Sequence, residues 1–126
     1  ALLTAYRFDS EYTDAARNLV IGLIISGNLK EAEEISEKSF GAKAPADEQI
    51  ASAYMRAGAY GKLRDIWLRF IKENPNNLQH RVNLAATYLK LGERNKAIAT
   101  IEEAIKINPD FKEKGNGIIK EIRSDL

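Results

Sequence analysis

A spacing of 34 residues recurs along this sequence and constrains its fold more than any other feature. The dipeptide Asn-Pro stands at positions 74–75 and again at 108–109. Four further pairs keep the same interval: Ala51 and Ala85, Tyr54 and Tyr88, Gly58 and Gly92, Ile71 and Ile105. A fixed period of this length is typical of stacked helix-turn-helix units, so the sequence predicts an array of paired helices.

The clearest unit, residues 78–110, carries two segments with apolar residues at helical spacing. Gly92 is predicted to end the first segment, because glycine readily adopts the positive φ found at helix ends. Asn108 is predicted to end the second, because a residue before proline is displaced from the α region. The residues expected to face inward are Val82, Leu84, Ala85, Tyr88, Leu89 and Leu91, then Ala97, Ile98, Ile101, Ala104, Ile105 and Ile107.

The same design recurs upstream, so the 126 residues are interpreted as a single domain. Residues 44–77 form a second unit, and residues 12–43 form a degenerate first unit that precedes it by 31 residues. The second helix of this first unit must therefore be about one turn shorter, or its exit loop tighter. Residues 1–11 are interpreted as an ordered strap or the end of a helix.

The C-terminal segment, residues 111–126, predicts a helix that caps the last unit, because a terminal unit has no neighbour to cover its apolar face. Gly115 and Gly117 each weaken a helix by about 1 kcal/mol relative to alanine, so a frayed or broken start is expected. The apolar residues that share one helical face are Phe111, Ile118, Ile119, Ile122 and Leu126.

The last unit resembles a tetratricopeptide repeat, and the other two resemble it less completely. The matching residues are Leu84-Ala85, Tyr88, Gly92, Ala97, Ala104 and Pro109 in the last unit, Ile50-Ala51, Tyr54, Gly58, Trp67 and Pro75 in the middle one, and Leu19, Gly27 and Ala32 in the first. Arg81 occupies the family's tryptophan position, and Leu63 and Phe70 stand where the family favours alanine. The resemblance implies an all-α fold, a right-handed α-solenoid of three helix-turn-helix pairs plus a C-terminal capping helix.

The resemblance also implies a ligand site, since in this family the first helix of each pair lines a concave groove. Gln49 and Asn83 are then expected to bond a peptide backbone, and Arg17 or Arg56 to meet a carboxylate. The groove set carried over to this chain is Arg17, Ile21, Gln49, Ser52, Met55, Arg56, Gln79, Asn83, Ala86 and Lys90, with Asp14, Ile24 and Glu48 beside them.

No catalytic, cofactor or metal site is predicted. The chain has no cysteine, which excludes disulfides, thiolate ligands and cysteine nucleophiles. His80 is the only histidine and is predicted to be an ordinary surface or capping-region residue. The carboxylates within residues 31–37 lie between Lys30 and Lys38 and are interpreted as a solvated helix face.

Charge and hydropathy restrict the partners. Lys and Arg number 19 and Asp and Glu number 18, so no overall attraction to nucleic acid or anionic lipid is expected. The longest apolar run, Leu19–Ile25, is too short to cross a bilayer. The chain begins with Ala1 and has Met55 as its only methionine, so it is interpreted as a piece of a longer protein or a processed form.

Three functions remain open from the sequence. The leading hypothesis is a non-catalytic module that binds a peptide or partner protein segment in the groove. The alternative is a C-terminal repeat domain of a larger bacterial membrane enzyme, because residues 108–122 resemble repeat tails of O-antigen ligases and related polysaccharide polymerases. The third is weak end-to-end self-association through Leu2, Leu3 and Phe8. The compartment stays open, as a soluble domain that is cytoplasmic or attached to a membrane protein.

Overall fold

The computed structural model describes the backbone of residues 2–124 and the side chains of residues 11–124, and every regular element in that range is helical. The predicted all-α class is therefore confirmed. The helices are α1 (Leu2–Ile25), α2 (Leu29–Phe40), α3 (Glu48–Arg56), α4 (Tyr60–Glu73), α5 (Leu78–Lys90), α6 (Arg94–Ile107) and α7 (Lys112–Ser124), with a 3₁₀ turn at Pro109–Phe111.

The helices belong to two compact units, residues 1–66 and residues 67–126, and the boundary falls within α4. In the first unit, α1 packs against both α2 and α3. In the second unit, α5 packs against α6, and α6 packs against α7. Successive helices therefore pair, and the last one covers its predecessor, as the repeat pattern predicts.

The glycines of the repeat end their helices as predicted. Gly58 and Gly92 adopt φ values of 71° and 77°, in the left-handed region that side chains disfavour. At the end of α5, the amide of Gly92 donates to the carbonyl of Leu89 at 3.1 Å, and that of Glu93 donates to Tyr88 at 2.9 Å. These bonds satisfy carbonyls left free by the last helical turn, so the chain reverses at once into α6.

The spacing between the first and second units is shorter than the spacing between the second and third because its helices are shorter. α2 has 12 residues against 14 in α4, and α3 has 9 against 13 in α5. The loop at residues 41–47 is longer than the loop at residues 74–77, so of the two alternatives the shorter helix holds and the tighter exit loop does not. At the N-terminus, α1 is continuous from Leu2, and the side chains of Leu2, Leu3 and Phe8 lie outside the described residues.

Tyr54, in the core of the first unit, has the largest of the fully buried side chains among the described residues. Its hydroxyl has no hydrogen-bond partner. Burial, together with the nearby carboxylate of Glu33, raises the pKa of Tyr54 to about 12. Glu33 itself forms an ion pair with Lys62, which links α2 to the start of α4.

The core of the second unit joins α5, α6 and α7. Its buried residues are Ala85, Ala97, Ile101, Ala104, Phe111, Ile119 and Ile122. Two residues expected to face inward are instead exposed, Leu89 at 40% and Ile107 at 37%. The face of α5 that is buried carries His80, Leu84 and Thr87. Leu89 lies outside that face and is therefore exposed. Ile107 is the last residue of α6 and has no following turn to cover it.

The capping helix α7 runs without a break through both of its glycines, so the expected frayed start is wrong. Gly115 is buried, and a Cβ placed there would lie 2.7 Å from Cδ1 and Cγ1 of Ile105. The missing side chain therefore lets α7 approach α6 closely, which offsets the low helix propensity of glycine. Leu126, predicted to lie on the same face, is outside the described residues.

We expect Gly115→Ala and Gly117→Ala to act in opposite directions. Gly117→Ala meets no atom within 4 Å and should stabilise the helix by about 0.5–1 kcal/mol. Gly115→Ala should destabilise the protein by about 1–3 kcal/mol, because Ile105 must move. Urea unfolding measures both, and equal stabilisation by the two variants would contradict the close approach.

We expect Tyr54 to make stability depend on alkaline pH. An unfolded tyrosine ionises near pH 10, so its contribution is complete below about pH 10 and is lost as pH rises towards 12. Over that interval the native chain should lose about 2–3 kcal/mol more than Tyr54→Phe. At neutral pH the variant should be near neutral, since the hydroxyl has no partner. Tyr12→Phe, which alters an exposed ring, is the control, and an equal pH profile for both variants would contradict the assignment.

Candidate functional site

Arg17 and Asp47 join α1 to the start of α3. The Nε of Arg17 donates to Oδ2 of Asp47 at 2.6 Å, and its Nη1 donates to Oδ1 of Asp14 at 2.8 Å. Oδ1 of Asp47 meanwhile caps α3 by accepting from the amides of Gln49 and Ile50, each at 3.0 Å. The hydrogen bond to Asp47 is the main reason that the pKa of Arg17 is raised. The guanidinium thus already meets two carboxylates of its own chain, and its contact with a ligand stays a prediction.

Beyond this junction, α1 and α3 present a mixed surface in the first unit. We define the α1–α3 surface as Ile21, Ile25, Gln49, Ser52, Met55 and Arg56. Ile21 and Ile25 follow Arg17 at four-residue steps, on the side of α1 that meets the start of α3. Ile25 and Met55 are 59% and 53% exposed, close to the ends of two helices that pack against each other.

Ile24 and its neighbour Ile25 differ from the sequence-based expectation. Ile24, expected beside the groove, is 1% exposed and belongs to the core of the first unit. Ile25 was not singled out, although it closes the apolar run Leu19–Ile25. The signal that would have found it is helical phase, since Ala16, Val20 and Ile24 already form one buried face of α1.

The remaining predicted groove residues lie on α5, in the second unit. Gln79, Asn83, Ala86 and Lys90 are spaced along one face of that helix. Nε2 of Gln79 donates to Oδ1 of Asn83 at 2.9 Å. The bond leaves Oε1 of Gln79 and Nδ2 of Asn83 for a further acceptor and donor contact. The role of these side chains in binding a ligand stays a prediction.

Two cations on these helices are free for a partner. Among the described residues, Arg56 and Lys90 form no ion pair. Each lies in the last turn of its helix, α3 or α5, where the negative end of the helix dipole favours a positive charge. Arg56 is therefore the exposed cation of the α1–α3 surface, in place of Arg17.

His80 is buried, so the prediction of a surface histidine is wrong, although its place near a helix start is right. Its ring is stacked at 4.5 Å from Phe70 and 6.1 Å from Trp67, between ring centroids. Its backbone amide donates to Oδ1 of Asn77, the residue that caps α5. The Nδ1 atom has no hydrogen-bond partner. An aromatic stack of this kind serves packing.

Among the side chains of residues 11–124, no three His, Asp or Glu are grouped to hold a metal ion. No helix within residues 2–124 is long and apolar enough to span a membrane. Arg81, which stands at the family's tryptophan position, donates from its guanidinium to the carbonyl of Pro75. A polar bond to the preceding loop thus replaces the packing of an indole.

Comparison with protein families supports the resemblance. The tetratricopeptide repeat family matches residues 81–111. No curated protein sequence matches the chain significantly.

Solved structures share the fold at low sequence identity. A point mutant of MamA aligns with a TM-score of 0.56 and 23% identity, over 90% of this chain and 84% of that one. The MamA structure labelled MSR-1 aligns with a TM-score of 0.50 and 19% identity, over 89% and 75% of the two chains. A mutant O-GlcNAc transferase of Thermobaculum terrenum aligns with a TM-score of 0.52 and 16% identity, over 90% of this chain but 22% of that one. At these identities the likeness concerns the fold alone.

We expect Asp47 to contribute more to stability than an ordinary surface carboxylate. Asp47→Ala removes the cap of α3 and leaves Arg17 without its main partner, which should cost about 2–3 kcal/mol. Asp47→Asn keeps an oxygen for the cap and should cost about half as much. Asp14→Asn, in the exposed pair, should cost less than about 0.5 kcal/mol. Thermal and urea unfolding compare the three, and equal losses would contradict the double role of Asp47.

Proposed function

We propose that this chain, whose residues 81–111 match the tetratricopeptide repeat family, is a non-catalytic module that binds a segment of a partner protein. Arrays of this kind offer extended surfaces built from the first helices of successive pairs. The proposal places the contact in the first unit, on the α1–α3 surface. Its ligand is an extended peptide with an apolar side chain and an acidic group.

The observation that carries the proposal is the exposure of Ile25 and Met55 on adjacent helices. Large apolar side chains exposed on neighbouring helices favour an apolar ligand group. Methionine suits such a contact, because its unbranched thioether adapts to different side chains. Full burial of one such side chain contributes about 1.5–3 kcal/mol, so two of them contribute about 3–6 kcal/mol, which corresponds to weak binding in the millimolar to high-micromolar range.

The polar members of the surface supply direction and selectivity. Gln49 and Ser52 are exposed on α3 and can bond to the amides and carbonyls of an extended peptide. Arg56 has no carboxylate partner among the described residues, so it is available to a ligand carboxylate. A charge-assisted hydrogen bond of this type is stronger than a neutral one and favours acidic peptides.

A second peptide contact is proposed on α5. Gln79 and Asn83 retain one acceptor and one donor after bonding each other, and Lys90 is unpaired in the described part of the chain. They therefore suit a short stretch of peptide backbone beside an acidic side chain. Because they lie in the second unit, their contribution is measured independently, with Asn83→Ala and Lys90→Ala.

A second candidate function places this chain within a larger enzyme. The observation behind it is the alignment that covers 22% of the O-GlcNAc transferase chain, in which helices of this fold form part of a longer protein. The repeat would then position a catalytic region without performing the reaction. The sequence encoded upstream in the gene decides between the two, since a module that acts alone has no membrane-enzyme domain before it.

We expect substitutions on the α1–α3 surface to weaken peptide binding without unfolding the chain. Peptides selected from a random library against the native chain should be enriched in acidic and apolar residues. Met55→Ala should weaken their binding by about tenfold, and Arg56→Glu by more for peptides with an acidic group. Met55→Leu and Arg56→Lys, which keep volume or charge, should retain most of the affinity.

The matched control is Leu68→Ala, which shortens another exposed apolar residue, on α4 and outside the surface. Fluorescence anisotropy with labelled peptides measures each affinity, and circular dichroism confirms that each variant is folded. The proposal is wrong if Leu68→Ala weakens binding as much as Met55→Ala does, or if Arg56→Glu has no effect on acidic peptides.

A further inference from the structure

One face of α1 is exposed, uncharged and used by no contact described so far. We define the α1 stripe as Tyr12, Ala15, Leu19 and Gly22, all exposed. Tyr12 and Leu19 are 55% and 51% exposed, which is unusual for large side chains on a helix with a well-buried opposite face. That opposite face, formed by Ala16, Val20 and Ile24, is the one that is buried in the first unit.

The spacing of the α1 stripe is that of a helix-pairing seam. Its members follow one another at intervals of three, four and three residues, as the two core positions of a heptad do. Large and small residues alternate along it, with Tyr12 and Leu19 separated by Ala15 and followed by Gly22. Small residues leave depressions that a large side chain of a second helix can fill.

The alternation is self-complementary in one antiparallel register. When a second copy of α1 lies antiparallel with residue 17 at the two-fold axis, Tyr12 faces Gly22 of the second copy, and Leu19 faces Ala15 of the second copy. Every contact then joins a large residue to a small one. Asn18, exposed at the edge of the α1 stripe, lies beside Asn18 of the second copy, and two amides can bond each other as donor and acceptor.

We propose that two copies of this chain associate through the α1 stripe as an antiparallel, two-fold symmetric helix pair. The same patch then serves both partners, as in most symmetric dimers. No charged residue lies within the α1 stripe, so no like charges oppose each other when it meets itself.

A second copy fits this surface better than the last helix of another copy does. The described exposed face of α7 carries Lys112, Glu113, Lys114, Lys120, Glu121 and Arg123, so burying it against Tyr12 and Leu19 would strip charges of water. Head-to-tail pairing is therefore disfavoured. A single helix pair buries less than the roughly 1,200 Å² of a stable interface, so the dimer is weak.

Gly22 allows a sharp test, because the residue is exposed and a Cβ added there meets no atom within 4 Å in one copy. Gly22→Leu should leave the monomer folded, and should stabilise it through its higher helix propensity. In the dimer it would collide with Tyr12 of the second copy and weaken association by at least about tenfold. Adding Tyr12→Ala restores a large residue opposite a small one and should recover most of the lost affinity.

Sedimentation equilibrium of the full chain over a wide concentration range measures these effects. The native chain should show a reversible monomer–dimer equilibrium, Gly22→Leu a monomer, and Tyr12→Ala/Gly22→Leu a dimer again. Because the chain has no cysteine, Asn18→Cys should also cross-link efficiently with a short bis-maleimide, whereas Leu68→Cys should not.

A strict monomer at the highest concentration would overturn the proposal and leave the α1 stripe to another occupant. So would a Gly22→Leu chain that dimerises as the native one does, or a double variant that fails to recover. Peptide binding to the α1–α3 surface should be unchanged in Gly22→Leu, which separates this proposal from the previous one.

Discussion

The structure depends on close approach between helices that each have only one apolar face. None of the helices can remove its own apolar residues from water, so each needs a neighbour at short distance. Ala51, Ala85 and Ala97 are at most 3% exposed at helix contacts, where a longer side chain would hold the backbones apart. Gly115 extends the same solution to α7, at a contact too close even for a methyl group. Small residues therefore determine where helices meet, and large residues such as Tyr54 fill the space between them.

This division of roles between small and large residues explains which side chains stay exposed next to the helix contacts. Alanine and glycine at the contacts bring the backbones together, so residues one helical step away project into solvent. Ile25, Met55 and Arg56 are exposed for this reason, although α1 and α3 pack tightly beneath them. The α1 stripe arises in the same way, on a face of α1 that neither α2 nor α3 covers. One helix can therefore contribute to the core and also carry both of the surfaces proposed above.

The fold was largely predictable because its signals are local. Gly58, Gly92 and Asn108 act through their own backbone preferences or those of the next residue, and each helix end lies where the sequence placed it. The site was less predictable, because the burial of His80 and the pairing of Arg17 depend on residues distant in sequence or on the rotation of a whole helix. The one-residue difference between Ile24 and Ile25 has the same origin, since both read as apolar and only helix phase separates them.

The carboxylate of Asp47 introduces a competition into the first unit. It holds Arg17 with one oxygen and the first amides of α3 with the other. An acidic ligand group that reached Arg17 would compete with Asp47 for the guanidinium, and the displaced carboxylate could no longer keep both sets of bonds. Occupation at Arg17 would thus break the side-chain link between α1 and the start of α3, while Oδ1 of Asp47 could still cap that helix.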